Sequence, residues 1–322
     1  MPMRVYVQYE PNETGKGKFL ARLIDAMVPL GVEFAYRPKG CDVTLALTKF
    51  GKKTDKHMPK VLRVDGVHLV DSPEARWRNE QVVKSIKQAD IVVWQSQFCR
   101  KIAGGALHVH PNHEVVIYNA APEIPEKLQS ECYERLHGPV EKVVALCAKW
   151  DYADGKPRRH KRLAEHAEFC NWYAGFNPNV EFRIFGRCSH RPFESERIRY
   201  YGHLPDTELQ QHLCAADVML YLPYYDWMPN SVVEAIACGL PVIASNNGGH
   251  AEIAHMVLAT DEPLRPRMLD ERVPSFEFPL VGKALDCATR RMQNPEYIHP
   301  PTMRGAAHCY DLAFQEAIRV AG

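Results

Sequence analysis

Asp226 and Glu234 frame the run DWMPNSVVE, with seven residues between the two acids. A carboxylate accepts two hydrogen bonds at a spacing that suits a vicinal diol. A glutamate one turn into a helix can therefore hold a ribose where the helix start binds a phosphate. Pro229 and Asn230 open such a helix, and Asn230 or Ser231 can cap its first amides. Free amides and the positive end of the helix dipole favour phosphate there. The plainer alternative is a glutamate that only complements the dipole. Gly239 and Pro241 stop the helix after about two turns. VIAS then continues as a strand, and Gly248-Gly249 is expected to open another helix, GHAEIA. A second charged stretch, KPRRHKR from Lys156 to Arg162, separates the strand-like KVVALCA from the helix-like LAEHAEFC. Paired cations in such a loop would neutralise a diphosphate leaving group. A solvated basic loop is the alternative.

These groups need elements to place them. Short β-rich runs alternate with amphipathic stretches along nearly the whole chain, the pattern of parallel sheets covered by helices. MRVYVQY, VEFAYR, DVTLAL, KVLRVD, IVVWQS and VVIYNA read as a first series of strands, with GKFLARLIDAMVPLG and NEQVVKSIKQA as helices. KVVALCA, VEFRIFG, DVMLYLP and VIAS form a second series, with HKRLAEHAEFCNWYAGF and DTELQQHLCAA as helices. Over 322 residues this repeated grammar predicts an α/β chain of two facing, Rossmann-like, doubly wound domains, residues 1–135 and 136–302. The hinge is expected near residues 120–140, in a proline-bearing charged stretch. LVGKALDCATRRMQ and AAHCYDLAFQEAIRVA read as closing helices on either side of the turn NPEYIHPP. The last, about 303–322, is expected to return to the first domain.

Composition narrows the function classes. A net charge of +1 with 25% charged residues excludes a broadly basic nucleic-acid coat and an acidic disordered chain. The ten cysteines show no CxxC spacing, so buried thiols in a reducing compartment are expected. MPMRVYVQYE has no apolar signal core, and no run approaches a membrane span, so a cytoplasmic location is expected. In NETGKGKFLARL, Gly15 and Gly17 stand between strand and helix, but Leu20 breaks the dinucleotide fingerprint and argues against NAD.

From DVMLYLP to GHAEIA, the order Asp226-x7-Glu234, AIACGLPVIAS and a glycine pair resembles the E-x7-E region of the family 4 glycosyltransferases, which have the GT-B fold. The resemblance implies retaining transfer of a sugar from a nucleoside-diphosphate sugar, foremost a UDP-sugar, with no required cofactor or divalent ion. It carries the ribose-binding carboxylate onto Glu234 and the sugar-contacting acid onto Asp226, where aspartate and WMPNS replace the family's usual glutamate and glycine-rich loop. Lys161 matches the family's lysine, and its cationic partner is Arg158, Arg159 or Lys149. Pro229, Asn230 and Ser231 belong to the implied donor site. Gly186, His203 and Leu204 stand in loops that surround the base in that family, and Gly15 and Gly17 in a loop that approaches donor or acceptor. His68 in RVDGVH is the implied sugar-contacting histidine, so the implied catalytic set is His68, Asp226, Lys161 and Arg159. Asp65, Ser96 and Lys101 are candidates towards the acceptor. That acceptor is a glycan, a small molecule or a hydroxymethylated DNA base. A nucleotide-sugar epimerase of the same fold and a degenerate nucleotide-binding protein are the competing readings.

Overall fold

A strand covered by helices on both faces has no solvent side, and VTLAL, Val43–Leu47, is buried at every position. Such strands build two six-stranded parallel sheets in the computed structural model, which describes residues 2–12, 14–51, 57–121, 124–265, 273–288 and 302–321. The first unit takes the residues up to Ala121 and the C-terminal helix. The second takes the described residues from 124 to 263 and from 273 to 288.

In the first unit, β1 (Arg4–Val7), β2 (Glu33–Ala35), β3 (Val43–Leu47), β4 (Lys60–Val64), β5 (Ile91–Trp94) and β6 (Glu114–Val116) lie in the order β2-β1-β3-β4-β5-β6. Helices α1 (Gly15–Met27), α2 (Pro73–Ile86) and α3 (Gln97–Leu107) connect them. IVVWQS, expected to be strand to its end, stops as β5 at Trp94, because Ser96 caps α3 and accepts from Cys99 N at 2.9 Å. Leu23, Phe19, Val5, Leu45 and Val93 form a core that Tyr310 and Phe314 of the C-terminal helix complete.

The second unit holds β7 (Lys142–Cys147), β8 (Val180–Phe185), β9 (Ile198–Gly202), β10 (Val218–Tyr221), β11 (Val242–Ser245) and β12 (Met256–Leu258), in the order β12-β11-β10-β7-β8-β9. Its helices are α4 (Glu126–Leu136), α5 (Leu163–Phe176), α6 (Asp206–Cys214), α7 (Asn230–Ala237) and α8 (Phe278–Cys287). The order reverses between β7 and β10, and in doubly wound sheets the crevice at such a switch point, beyond the carboxyl ends of the strands, binds ligands. Phe169 of α5 packs edge-on against Phe182 of β8, Phe276 and Phe278, a cluster whose burial contributes roughly 2–3 kcal/mol per ring.

Three local expectations change. Residues 126–136, read as the end of the first domain and part of a hinge, are helix α4 of the second unit. Tyr133 donates to Asp217 Oδ1 at 3.0 Å and the ring of His137 bonds Asp217 Oδ2 at 2.6 Å. Cys132 is its one buried residue, a stripe too narrow to read as amphipathic. The glycine pair opens only a four-residue 3-10 turn, Gly249–Glu252, before the chain enters β12. β9 and β12, short and partly exposed, had no strand-like run to announce them. The final helix α9 (Met303–Ala321) packs on α1, as expected of a returning helix. The end of the LVGKALDCATRRMQ segment and the NPEYIHPP turn lie outside the described residues.

Candidate functional site

At the switch point the two loops that leave β7 and β10 meet. Trp150 Nε1 donates to Phe185 O at 2.8 Å and anchors the first loop on β8. Gly186, just past β8, has φ +110°, and a β-carbon there would lie 1.9 Å from Ala148 O, so only glycine allows this approach. An Asp151–Pro157 bridge closes the loop on itself, and Arg158 N donates to Trp150 O at 2.7 Å. A 3-10 turn, Arg159–Lys161, then leads to Arg162 in the left-handed region at φ +59°. Tyr224 N donates to His160 O at 2.7 Å and ties this loop to the one after β10.

Lys161 and Arg162 are neighbours in sequence with different partners. Arg162 is buried and forks onto both carboxylate oxygens of Asp261, with Nη1–Oδ2 at 2.9 Å. Lys161 Nζ forms an ion pair with Asp226 Oδ2 and donates to the Tyr221 hydroxyl at 3.1 Å. Tyr221 in turn donates to Asp226 Oδ2 at 2.5 Å. Burial alone would raise the Asp226 carboxyl, but the Lys161 ammonium and the hydrogen bonds from Lys161 and Tyr221 hold it at about 2. Burial, then the Asp226 charge, push the Tyr221 phenol well above its ordinary value.

The glycine pair positions the acid. Gly249 N donates to Asp226 O at 3.0 Å, and a β-carbon on Gly248 would fall 2.6 Å from that same oxygen and 2.1 Å from the His250 ring. His250 is fully buried, its Nε2 bonded to Ser245 Oγ at 3.1 Å while Ser245 donates to Pro223 O at 2.6 Å. The serine proton is thus spent on Pro223, so Nε2 carries the shared proton and the ring is neutral. Burial pushes His250 down to about 3. His166 is likewise buried and lowered to about 4, with Nδ1 on Arg162 O at 2.6 Å and Nε2 accepting from Leu222 N at 3.1 Å.

Helix α7 starts at Asn230, with Pro229 in the cap position and no side chain capping its first amides. The cap expected from Asn230 or Ser231 is therefore absent, because the helix begins one residue too early for either to serve. Glu234 sits one turn in and is half-buried. Of the candidate partners for Lys161, Arg158 lies over the Tyr152 ring at 4.2 Å, and its charge lowers the Tyr221 phenol. Arg159 and Lys149 are exposed. His203 is exposed beyond β9 and Leu204 half-buried, while Gly202 O accepts from Gly186 N at 2.7 Å.

The first-unit candidates have employments of their own. Gly15 opens α1, and the amide of buried Gly17 donates to Thr14 Oγ1 at 3.2 Å. Asp65 pairs with buried Arg63 at 2.7 Å and accepts from Thr48 at 3.2 Å. Ser96 is spent as the α3 cap. His68 is exposed, and Asn79 of α2 clamps its backbone from both sides, accepting from its N–H at 3.0 Å and donating to its carbonyl at 2.8 Å. Lys101 lines a groove of about 470 Å³ with Trp94, Arg100, His110 and Glu114.

Sequence reasoning missed Tyr221, Arg162, His166 and His250. The available signal was Tyr221's place as the last residue of a strand that ends at the switch point.

Comparison with known proteins bears on this segment. Residues 163–264 match the family model described as Glycosyl transferases group 1. A 74-residue stretch is 31% identical to the O-antigen chain mannosyltransferase B of Escherichia coli, covering 23% of this chain and 18% of that protein. The chain thus spans about a fifth of the length of the curated relatives it matches. Over its full length it is similar to Anabaena Alr3699/HepE, crystallised in complex with UDP (TM-score 0.60, 15% identity, 97% of that chain). It is similar too to the sucrose-phosphate synthase of Thermosynechococcus elongatus (TM-score 0.61, 14% identity, 100% of this chain and 96% of that one). The fold is therefore GT-B, with two Rossmann-like units.

Proposed function

We propose that this chain is a retaining glycosyltransferase that moves a sugar from a nucleoside-diphosphate sugar, a UDP-sugar first, to an acceptor hydroxyl. The observation that carries the reading is the cluster at the switch point, where Lys161 and Asp226 meet within the segment pair that also carries the open start of α7. The match to group 1 glycosyl transferases and the UDP held by a protein of like fold support it. In this reading Glu234 holds the ribose diol, and Gly186, His203 and Leu204 border the base. Lys161, Arg158 and the first amides of α7 neutralise the diphosphate. Asp226 takes a hydroxyl of the transferred sugar. The bond from the anomeric carbon to the diphosphate oxygen breaks as the acceptor oxygen bonds the same face, and the leaving diphosphate takes the acceptor proton. The positive charge this needs comes from side chains and amides, so no divalent ion or other cofactor is required. His68 is kept as the histidine that contacts the transferred sugar. Asp65 and Ser96 serve there as supports, given their engagement with Arg63 and α3.

The test is thermal stabilisation by a panel of nucleoside diphosphates and their sugars, with and without EDTA, followed by transfer to glycan, small-molecule and hydroxymethylated-DNA acceptors. Selective stabilisation by one nucleotide-sugar that survives EDTA is expected. A panel without any shift, or a shift that EDTA abolishes, would overturn the donor assignment or its metal independence respectively.

A further inference from the structure

Asp226 offers two oxygens with different environments. Oδ2 takes both the Lys161 ammonium and the Tyr221 hydroxyl, while Oδ1 takes no hydrogen bond among the described residues, and the side chain retains 15% exposure. Lys161 is more buried still, with its charge already met by Asp226 and one further proton given to Tyr221. A diphosphate arriving at this ammonium therefore meets a cation that is already neutralised. Opposite charges a few ångströms apart under partial burial interact strongly enough for that competition to matter.

We propose that Asp226 is the internal counter-anion of Lys161, weakening the hold on the diphosphate, and that Tyr221 is a positioning residue that keeps Oδ2 on the ammonium and turns Oδ1 to the sugar. The inference rests on the transferase reading for the identity of the ligand. It adds that the acid trades product affinity for turnover: with the pair intact, the departing nucleoside diphosphate is bound less tightly than the cations alone would bind it. The shape of Tyr221 as a strand-end ring is kept by Phe, so the hydroxyl can be removed alone.

Calorimetric titration of UDP and of inorganic diphosphate into the full chain tests this, using wild type, Asp226→Asn and Asp226→Glu. Asp226→Ala is the second neutral variant should Asn not fold. The neutral variant is expected to bind both ligands roughly tenfold more tightly than wild type, with Asp226→Glu close to wild type, while turnover falls in the neutral variant. Unchanged or weaker binding by the neutral variant overturns the counter-anion. Absence of binding to wild type and every variant overturns the transferase reading instead. For Tyr221→Phe, turnover about tenfold lower at an unchanged donor KM is expected. A lower Tm with turnover intact would reduce the tyrosine to a packing role and overturn its part of the proposal.

Discussion

The carboxyl end of β4 in the first unit and the β7–β10 switch point in the second each set a buried cation against an aspartate, yet the two pairs are built differently. Arg63 is surrounded: Asp65 Oδ1 at 2.7 Å, Gln95 at 3.4 Å, Asn119, and the Phe19 ring 3.8 Å from its guanidinium carbon. Lys161 has one carboxylate and one phenol. A planar guanidinium with several partners acts as a strut, whereas an ammonium is a point charge whose partner can be exchanged for a ligand. Arg162, next to Lys161, is a second strut, locked on Asp261. The arginines are held by flat, multi-atom contacts whereas Lys161 meets one carboxylate oxygen and one phenol, so neighbours in one basic run can differ completely.

The largest effect expected from breaking this contrast is structural. Arg162→Ala strands Asp261 as a buried, unpaired charge and is expected to cost about 3–5 kcal/mol of unfolding free energy. Arg162→Lys should recover less than half of it, since the two-pronged contact is lost. Urea unfolding followed by circular dichroism measures both, and an Arg162→Ala cost below about 1 kcal/mol would make Arg162 no strut at all.

Acid sharpens the comparison next. Unfolded, His166 binds a proton near 6.5, but folded it does so only at about 4. The unfolded chain therefore holds more protons across that interval, and stability falls as pH drops from about 6.5 to 4, by about 3 kcal/mol from this residue. Asp226 acts lower down: its carboxyl, held at about 2 in the fold, contributes stability above about pH 4 that disappears as pH falls towards 2. Unfolding free energies measured from pH 7 to 3 should show the first loss, and a flat profile between 6.5 and 4 would contradict the buried neutral ring.

The smallest effect separates the two arginines. Arg158→Ala should lower turnover about tenfold, about 1.4 kcal/mol, because it is one of the cations assigned to the leaving diphosphate. The exposed Arg159, replaced by Ala, should change neither turnover nor stability by more than about 0.5 kcal/mol. Steady-state kinetics with the donor found by thermal shift checks the order, and the reverse order would return Arg159 to the catalytic set.

Much of the fold was legible because central strands such as VTLAL, VMLY and VIAS are almost wholly apolar and the helices between them have wide stripes, as in α1 with Phe19, Leu20, Leu23 and Met27 buried. α4 was not, since a single buried cysteine leaves no stripe to see, and the glycine pair read as a helix start because glycine marks a close approach as readily as a turn.

Chain order was enough for the alternation of strand and helix, the segment from DVMLYLP through VIAS, and the presence of an acid, a helix start and a basic run near one another. Local periodicity and turn chemistry are enough for that. Which lysine or arginine faces the acid was decided by tertiary structure alone. Lys161 and Asp226 lie on loops from strands that become neighbours only when the sheet reverses its order, and the left-handed backbone at Arg162 sends two adjacent cations to different partners.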